Sequence, residues 1–167
     1  MCAADGDDAV SSTLGSMSIA LMTQNEAEAI AEWSYEKPYG FYDASADEND
    51  LAELLDPALR GNGYFAAHDE SGELIGFFGF GSKGDVVVVG LGLRPDLTGG
   101  GLGFSFVEEG LAFAREQFAP ARFRLSVATF NERAIKVYER AGFVVTRAFM
   151  HETNGGLFPF VEMERPE

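Results

Sequence analysis

Residues 86–103 read VVVVGLGLRPDLTGGGLG, and the rest of the chain is organised around them. Four consecutive valines predict a strand over 86–93, because β-branched residues favour extended backbone. Gly90 and Gly92 interrupt the apolar run, which predicts a bulge or a place where something approaches the backbone closely. Pro95 ends the strand, since proline has no N–H to donate to a sheet.

A glycine-rich turn follows this strand and leads into an amphipathic helix over 104–118, which Pro120 closes. The N-terminus of such a helix attracts anions, because its first N–H groups are free and its dipole favours negative charge. Glycine lets a phosphate reach those groups without meeting a Cβ atom. A P-loop would need a lysine at the end of the turn, and a dinucleotide fingerprint would need a strand ending in an acidic residue about 20 residues later. Neither is present, so the turn either binds another phosphate-bearing ligand or is a tight strand-to-helix turn that happens to be rich in glycine.

The composition is that of one globular domain of 167 residues, with 46% hydrophobic residues and a formal net charge of −15. The charge argues against nucleic acids and anionic membranes as partners, because both recruit clustered Lys and Arg. It is compatible with a cationic substrate, although we interpret most of it as a solvated acidic surface. Whether the chain forms a homodimer is left open by the sequence.

Cysteines, histidines and long apolar segments are scarce in the sequence, which limits the expected compartment, disulfide formation and metal binding. Cys2 is the only cysteine, so no intramolecular disulfide can form. No signal peptide or long apolar run is visible, and we expect a cytoplasmic protein. His68 and His151 have no Cys or His at ligand spacing, so no metal site is predicted. Residues 1–16 are small, polar and acidic, and we expect a disordered tail before a single domain over 17–167.

Periodicity and turn residues predict the element order β-α-α-β-β-β-α-β-α-β-β. The strands are expected at 17–22, 64–68, 74–80, 86–93, 122–128, 144–152 and 158–163, and the helices at 24–33, 46–55, 104–118 and between 131 and 142. Capping boxes are expected at Thr23 with Glu26 and at Ser45 with Glu48. Thr129 or Asn131 can cap the last helix, and Gly142 is placed to end it.

Two motifs resemble those of the GNAT family of N-acetyltransferases. The family's acyl-CoA motif is an aliphatic strand end, a proline, and then Gln/Arg-x-x-Gly-x-Gly/Ala. Gly101 and Gly103 match its last two positions, whereas Thr98 stands at the Gln/Arg position and brings a hydroxyl without a charge. The run from Asn131 to Phe143, with Tyr138 in its middle, is similar to the family's second motif. The resemblance covers roughly residues 17–164.

The resemblance implies an α/β (α+β) fold, with a central mixed, mostly antiparallel sheet flanked by helices in the order given above. It also implies an enzyme that moves an acetyl group from acetyl-CoA to a primary amine by direct attack. Tyr138 would be the general acid. The groups that would hold the cofactor are the main chain of Leu91 and Leu93, the turn residues Thr98, Gly99, Gly101, Leu102 and Gly103, and the side chain of Asn131. Arg94, Arg133 and Lys136 are nearby cations that could reach a CoA phosphate or simply be solvated.

Aromatic residues crowd the stretch 33–43, which has neither helical nor strand periodicity. Trp33, Tyr35, Tyr39 and Tyr42 are the predicted acceptor-binding residues, because aromatics in a loop form binding walls. The alternative is a loop that its own rings attach to the core.

The general base and the acceptor remain open at this point. Some relatives carry a glutamate on the strand before the second motif, where this chain has Ser126. Candidate bases are Glu36, Asp43, His151 and Glu152, or a water chain. The acceptor could be a protein N-terminus, a polyamine, an aminoglycoside or a small metabolite amine. Two other classes are a module that binds acyl-CoA without turnover and, disfavoured by the missing lysine, a nucleotide-binding module.

Overall fold

A computed structural model describes residues 14–167 as one seven-stranded sheet with helices on its faces. The strands are β1 (Ser18–Leu21), β2 (Tyr64–His68), β3 (Leu74–Lys83), β4 (Val86–Leu93), β5 (Arg122–Ala128), β6 (Val144–Thr153) and β7 (Gly156–Pro166). The helices are α1 (Gln24–Ala31), α2 (Glu48–Leu55), α3 (Pro57–Arg60), α4 (Gly103–Phe118) and α5 (Glu132–Arg140). The predicted tail lies mostly outside the described residues, and Leu14, where they begin, already packs against the core.

The strand order is β1-β2-β3-β4-β5-β7-β6, and every neighbouring pair is antiparallel except β4 and β5. The mixed, mostly antiparallel sheet predicted from the sequence is therefore confirmed. The parallel pair arises because α4 is a crossover connection, which returns the chain to the end of the sheet where β4 began.

β4 and β5 pair along only part of their length. Val86–Val88 pair with Arg122–Arg124, and no pairing continues beyond them. β4 remains paired with β3, and β5 with β7, on their other sides. The two strands therefore separate toward their C-terminal ends. We call the gap between residues 89–93 and residues 125–128 the wedge.

Helix α4 covers one face of the sheet and forms the centre of the core. Phe106 and Leu111 are almost fully buried, and the ring of Phe106 lies 4.4 Å from that of Phe78. Gly110 lets the helix approach the sheet, because a Cβ atom at that position would lie 2.1 Å from Phe78 Cε1. This packing fixes the start of α4, and with it the glycine turn, against the end of β4.

The bulge expected at the glycines of β4 does not form, whereas the close approach expected there is found at Gly92. The register with β3 runs without a bulge through Gly79–Gly90 and Phe77–Gly92. Gly92 is required by a side chain instead, since a Cβ atom there would lie 2.4 Å from Phe77 Cε1. A Cβ atom at Gly90 would meet nothing within 4 Å, because this residue faces the wedge.

Several element boundaries differ from the prediction for local reasons. α2 begins at Glu48 because Asp47, rather than Ser45, accepts the N–H groups of Asn49 and Asp50. β3 continues to Lys83, since the hairpin turn is Gly84 and Asp85, with φ +64° at the glycine.

Helix α3 was not predicted, although Asp56 followed by Pro57 is a typical helix start. The Thr23 box and the Asn131 cap are present as predicted. Among residues 14–167, none of the helices combines the length and apolar character needed to cross a bilayer.

Candidate active site

A cavity of about 390 Å³ occupies the wedge and extends to the glycine turn. It is lined by most of the residues predicted to hold the cofactor, namely Leu91, Leu93, Thr98, Gly99, Gly101, Gly103 and Asn131, and by Tyr138. Leu102 is not among the lining residues and packs against the core. Residues from two motifs that are far apart in sequence thus face one cavity.

The glycine turn, which we define as residues 98–103, exposes its backbone to this cavity. Gly99 and Gly101 have φ values of +75° and +84°, which side-chain-bearing residues rarely adopt. Helix α4 starts at Gly103 without a side-chain cap, so its first N–H groups stay available to an anion. The hydroxyl of Thr98 donates to the carbonyl of Pro95 over 2.7 Å. The Thr98 hydroxyl proton is therefore already used in a hydrogen bond within this segment.

Of the three cations proposed near the phosphates, Arg133 lines the cavity. Its guanidinium lies 4.1 Å from the ring centroid of Tyr39. Arg94 is bound elsewhere, because its Nε lies 2.6 Å from Asp96 Oδ1 and its Nη1 donates to the carbonyl of Leu74. Lys136 is exposed and is not a lining residue.

A fourth cation, Arg140, was not predicted from the sequence. It lines the same cavity, with its guanidinium 4.2 Å from the ring centroid of Phe104. The spacing could have identified it, because residues 133 and 140 are two helical turns apart and share a face.

Tyr138 lies on the wall of the cavity and packs edge-on against Phe143, with ring centroids 6.1 Å apart. Burial, with a smaller contribution from Tyr42, raises the pKa of its phenol above the ordinary value near 10. Among residues 14–167, the Tyr138 hydroxyl has no hydrogen-bond partner. The group is thus a neutral hydroxyl available to a ligand.

The end of β5 is connected to the aromatic stretch through Tyr42. The Tyr42 hydroxyl accepts the N–H of Ala128 over 3.2 Å and is hydrogen-bonded to the side chain of Asn131. Burial raises the pKa of Tyr42, and these two hydrogen bonds oppose the shift. Asn131 also caps α5 by accepting the N–H of Ala134 over 3.1 Å. Its helix-capping role and its position on the cavity wall therefore coexist.

The aromatic stretch is attached to the core, and its side chains also line two cavities, so an acceptor-binding role stays a prediction. The Tyr35 hydroxyl donates to the carbonyl of Leu93 over 2.8 Å, and its backbone N–H donates to Asp43 Oδ1. Burial, followed by the charge of Asp43, raises the pKa of Tyr35. Phe41 packs against Phe158 with ring centroids 5.0 Å apart. The loop thereby forms the wall between the wedge and a second cavity.

The second cavity has a volume of about 290 Å³ and shares Tyr35, Tyr42 and Phe77 with the first. Its other walls are mostly aromatic and aliphatic, and are formed by Ile30, Trp33, Phe41, Ala44, Leu54, Tyr64, Thr153, Asn154 and Phe160. Of the predicted acceptor residues, Trp33 lines this cavity alone, Tyr39 lines the first alone, and Tyr35 and Tyr42 line both.

Ionisable side chains in the second cavity are mostly acidic. Asp43, Asp50 and His151 line it. Burial, followed by the charges of Asp47 and Glu53, raises the pKa of Asp50, while His151 opposes the shift. Of the four candidate bases, Asp43 and His151 lie here, whereas Glu36 and Glu152 line neither cavity. Ser126 lines the wedge.

The β6–β7 turn closes the second cavity through contacts with Asp47, the N-cap residue of α2, and with the aromatic stretch. Asp47 Oδ2 accepts the N–H of Asn154 over 2.8 Å, and Asn154 Nδ2 donates to the carbonyl of Phe41 over 2.8 Å. These hydrogen bonds hold the hairpin over the aromatic stretch. No group of three or more His, Cys, Asp or Glu suited to a metal ion occurs within residues 14–167.

Curated relatives of the chain are named as acetyltransferases. Over 113 residues, it is 39% identical to the mycothiol acetyltransferase of Streptomyces coelicolor, which covers 65% of this chain and 32% of that protein. It is 36% identical over 96 residues to the mycothiol acetyltransferase of Salinispora tropica, covering 53% of this chain and 31% of that protein. The chain thus spans about a third of the length of these relatives.

Solved structures share the fold at lower sequence identity. The spermidine N-acetyltransferase of Vibrio cholerae, in complex with CoA and spermine, superposes with a TM-score of 0.72 and 18% identity, covering 90% of this chain and 95% of that one. An acetyltransferase of the GNAT family from Bacillus anthracis gives 0.72 and 14%, covering 90% and 94%.

A family model described as the acetyltransferase (GNAT) family matches residues 26–143, which is well over half of the chain. The matched region includes the glycine turn, α4, the wedge and α5. The family and fold expected from the two motifs are confirmed, and the chain belongs to the GNAT acetyltransferase family.

Proposed function

We propose that this domain transfers an acetyl group from acetyl-CoA to a primary amine by direct attack. The observation that carries the proposal is the wedge, which reaches the glycine turn at one side and adjoins the second cavity through Tyr35, Tyr42 and Phe77. One cavity would hold the cofactor and the other the acceptor. The acetyl group and the amine would meet beside Tyr35, Tyr42 and Phe77, which line both cavities. We call these three residues the aromatic wall.

The pantetheine arm would lie along the edge of β4 that faces the wedge. Residues 89–93 have no β5 partner there, so their backbone groups can pair with the amides of the arm as a neighbouring strand would. The main chain of Leu91, which lines the cavity, would polarise the thioester carbonyl. The carbonyl of Leu93 already accepts the Tyr35 hydroxyl, and this bond would hold the aromatic wall beside the thioester.

The chemistry requires a neutral amine that attacks the thioester carbonyl carbon. The C–N bond forms, the C–S bond breaks, and the departing thiolate takes a proton from Tyr138. Burial raises the pKa of Tyr138, which keeps the hydroxyl protonated but also makes its proton harder to give up. We therefore expect the hydroxyl to hydrogen-bond the sulfur and to transfer its proton only as the C–S bond breaks. The proton of the attacking amine would leave through Asp43, His151 or water.

The acceptor would be an amine that carries further positive charge. Asp43 and Asp50 line the second cavity, and its walls include Trp33 and Tyr64, whose ring faces attract cations. The net charge of −15 would also attract such an acceptor. The acceptors in the names of the relatives belong to those proteins, and we do not assign either to this chain.

A second candidate is a module of the same family that binds acyl-CoA without turnover. Ser126 favours it, because a serine hydroxyl is a poor general base compared with a carboxylate. Binding without thiol release would be its signature.

The proposal is tested by following thiol release from acetyl-CoA with a panel of amines. The panel contains a diamine, a monoamine of equal length, an aminoglycoside and a peptide with a free N-terminus. We expect release to depend on the amine and to be faster with the diamine than with the monoamine. CoA binding without release by any amine would favour the non-catalytic module, and absence of CoA binding would refute both.

A further inference from the structure

We propose that Arg133 binds the pyrophosphate of CoA and is the positive charge of the glycine turn. The inference rests on the proposed placement of CoA in the wedge. Residues 98–103 contain no charged side chain, and Arg94, the basic residue that precedes them, is bound to Asp96 and Leu74. The charge of the turn must therefore come from another element.

Arg133 is the cation that α5 brings to the turn. A Cβ atom built on Gly99 would lie 3.1 Å from Arg133 Nη1, so the guanidinium borders the backbone of the turn. Val137, one helical turn later, borders Gly103 in the same way at 3.4 Å. The N-terminal half of α5 thus runs beside the turn and the start of α4, where the anion site lies.

The guanidinium of Arg133 is not neutralised by the protein. Six other arginines form ion pairs with carboxylates, namely Arg94, Arg115, Arg122, Arg124, Arg147 and Arg165. Within residues 14–167, Arg133 has no carboxylate at ion-pair distance, although the chain has 27 acidic residues against 12 basic ones. Arg140 shares this property but lies two turns further along, over Phe104.

Tyr39 orients the guanidinium while leaving its edge available. The Cζ atom of the guanidinium lies 4.1 Å from the ring centroid, which is a cation–π contact. The N–H groups in the guanidinium plane can then form two parallel bonds to phosphate oxygens, a geometry that lysine cannot provide. The contact also connects the aromatic stretch to the cofactor phosphates, which gives Tyr39 a role on the cofactor side.

The test compares CoA binding by calorimetry in the whole chain and in two variants. Arg133→Met removes the charge beside the turn, and Lys136→Met removes the same charge from an exposed position on the same helix. We expect Arg133→Met to raise the Kd for CoA about tenfold or more, as for loss of a charge-assisted hydrogen bond. Lys136→Met should change it by less than about twofold, because an exposed charge is screened.

Two further probes assign the effect to the pyrophosphate. Binding of 3′-dephospho-CoA should weaken by the same factor in Arg133→Met, and binding of pantetheine, followed by NMR titration, should not change. Loss of the effect with 3′-dephospho-CoA would place Arg133 at the 3′-phosphate and overturn the assignment. Equal weakening of pantetheine would make the role structural and overturn it as well.

The outcomes separate this inference from the proposed function. If the unmodified chain does not bind CoA, the proposed function fails. If it binds CoA and Arg133→Met binds equally well, only the inference fails. Arg133→Gln is a second charge-removing variant that keeps hydrogen-bonding capacity, and it should reproduce the loss if the charge is what matters. An unchanged melting temperature in either variant makes the comparison valid.

Discussion

The two halves of the β4–β5 pair show how one pair of strands serves both the fold and the site. In the paired half, Val87 is 3% exposed and its partner Phe123 is fully buried. In the wedge, Gly90 is exposed and has space beside it for a ligand. The pairing stops after Val88, and the first glycine of β4 follows at position 90. Side chains that fill space stabilise the first half, whereas the accessible backbone of the second half is the surface that we propose binds the cofactor.

The largest effect is expected from removal of the Tyr138 hydroxyl, since Tyr138 lines the cavity that occupies the wedge. Tyr138→Phe keeps the ring that packs on Phe143 and removes only the proposed proton donor. We expect kcat to fall by about 10²–10⁴-fold, the usual contribution of a positioned acid, with the melting temperature and the Kd for CoA unchanged. Turnover at the original rate would make Tyr138 a core aromatic. A joint loss of stability and CoA affinity would make the hydroxyl structural.

The pH profile checks the same residue without a mutation. Burial raises the pKa of Tyr138, so the protonated form needed for donation persists as the pH rises through the ordinary tyrosine range. We expect no loss of kcat from ionisation of this residue up to about pH 10. A descending limb below pH 9 that disappears in Tyr138→Phe would contradict the raised pKa of this residue.

A pair of glycine variants compares the two ends of β4. Gly101 and Gly84 both have positive φ, but the first lies in the glycine turn and the second in the hairpin turn before β4. Valine at either position introduces the same backbone strain. Only Gly101→Val should weaken CoA binding, by about 30-fold or more if one hydrogen bond to the phosphates is lost. Equal Kd values for the two variants, measured by calorimetry, would place the cofactor elsewhere.

A smaller effect is expected from a charge in the second cavity, which the aromatic wall separates from the wedge. Asp50→Asn removes a charge that lines the second cavity, and Glu48→Gln removes a charge from the same helix that does not line it. We expect Asp50→Asn alone to raise the KM of a diamine acceptor about tenfold, with the KM for acetyl-CoA unchanged. Steady-state kinetics with both substrates varied provide the check. Parallel increases in both constants would show that the two cavities are not separate sites.

The cofactor side was predictable because its signals are local in sequence. The strand, the glycine turn and α4 follow one another within residues 86–118, and periodicity and glycine spacing describe all three. Tyr138 and Asn131, which were predicted from one short motif on one helix, both line the first cavity. The sequence could not show that Thr98 and Arg94 already have partners within the protein. The Thr98 hydroxyl donates to the carbonyl of Pro95, and Arg94 pairs with Asp96.

The second cavity was not predictable because distant segments build it. Asp47 and Asn154, which hold its rim, are 107 residues apart in the chain. The aromatic stretch has no period, and its short 3₁₀ helix over Tyr39–Tyr42 is held by tertiary contacts such as Phe41 with Phe158. The residue types indicated a binding wall, but their division between two cavities depends on the packing of the β6–β7 hairpin.

Amide hydrogen exchange with and without CoA tests the central claim most directly, because it reads both halves of β4 in one experiment. The claim is that the cofactor pairs with the wedge edge of β4 and with the glycine turn. We expect CoA to slow exchange in peptides covering 89–93 and 98–103, with little change in 86–88, which are already paired on both sides. Binding of CoA that leaves exchange in 89–93 and 98–103 unchanged would contradict the claim.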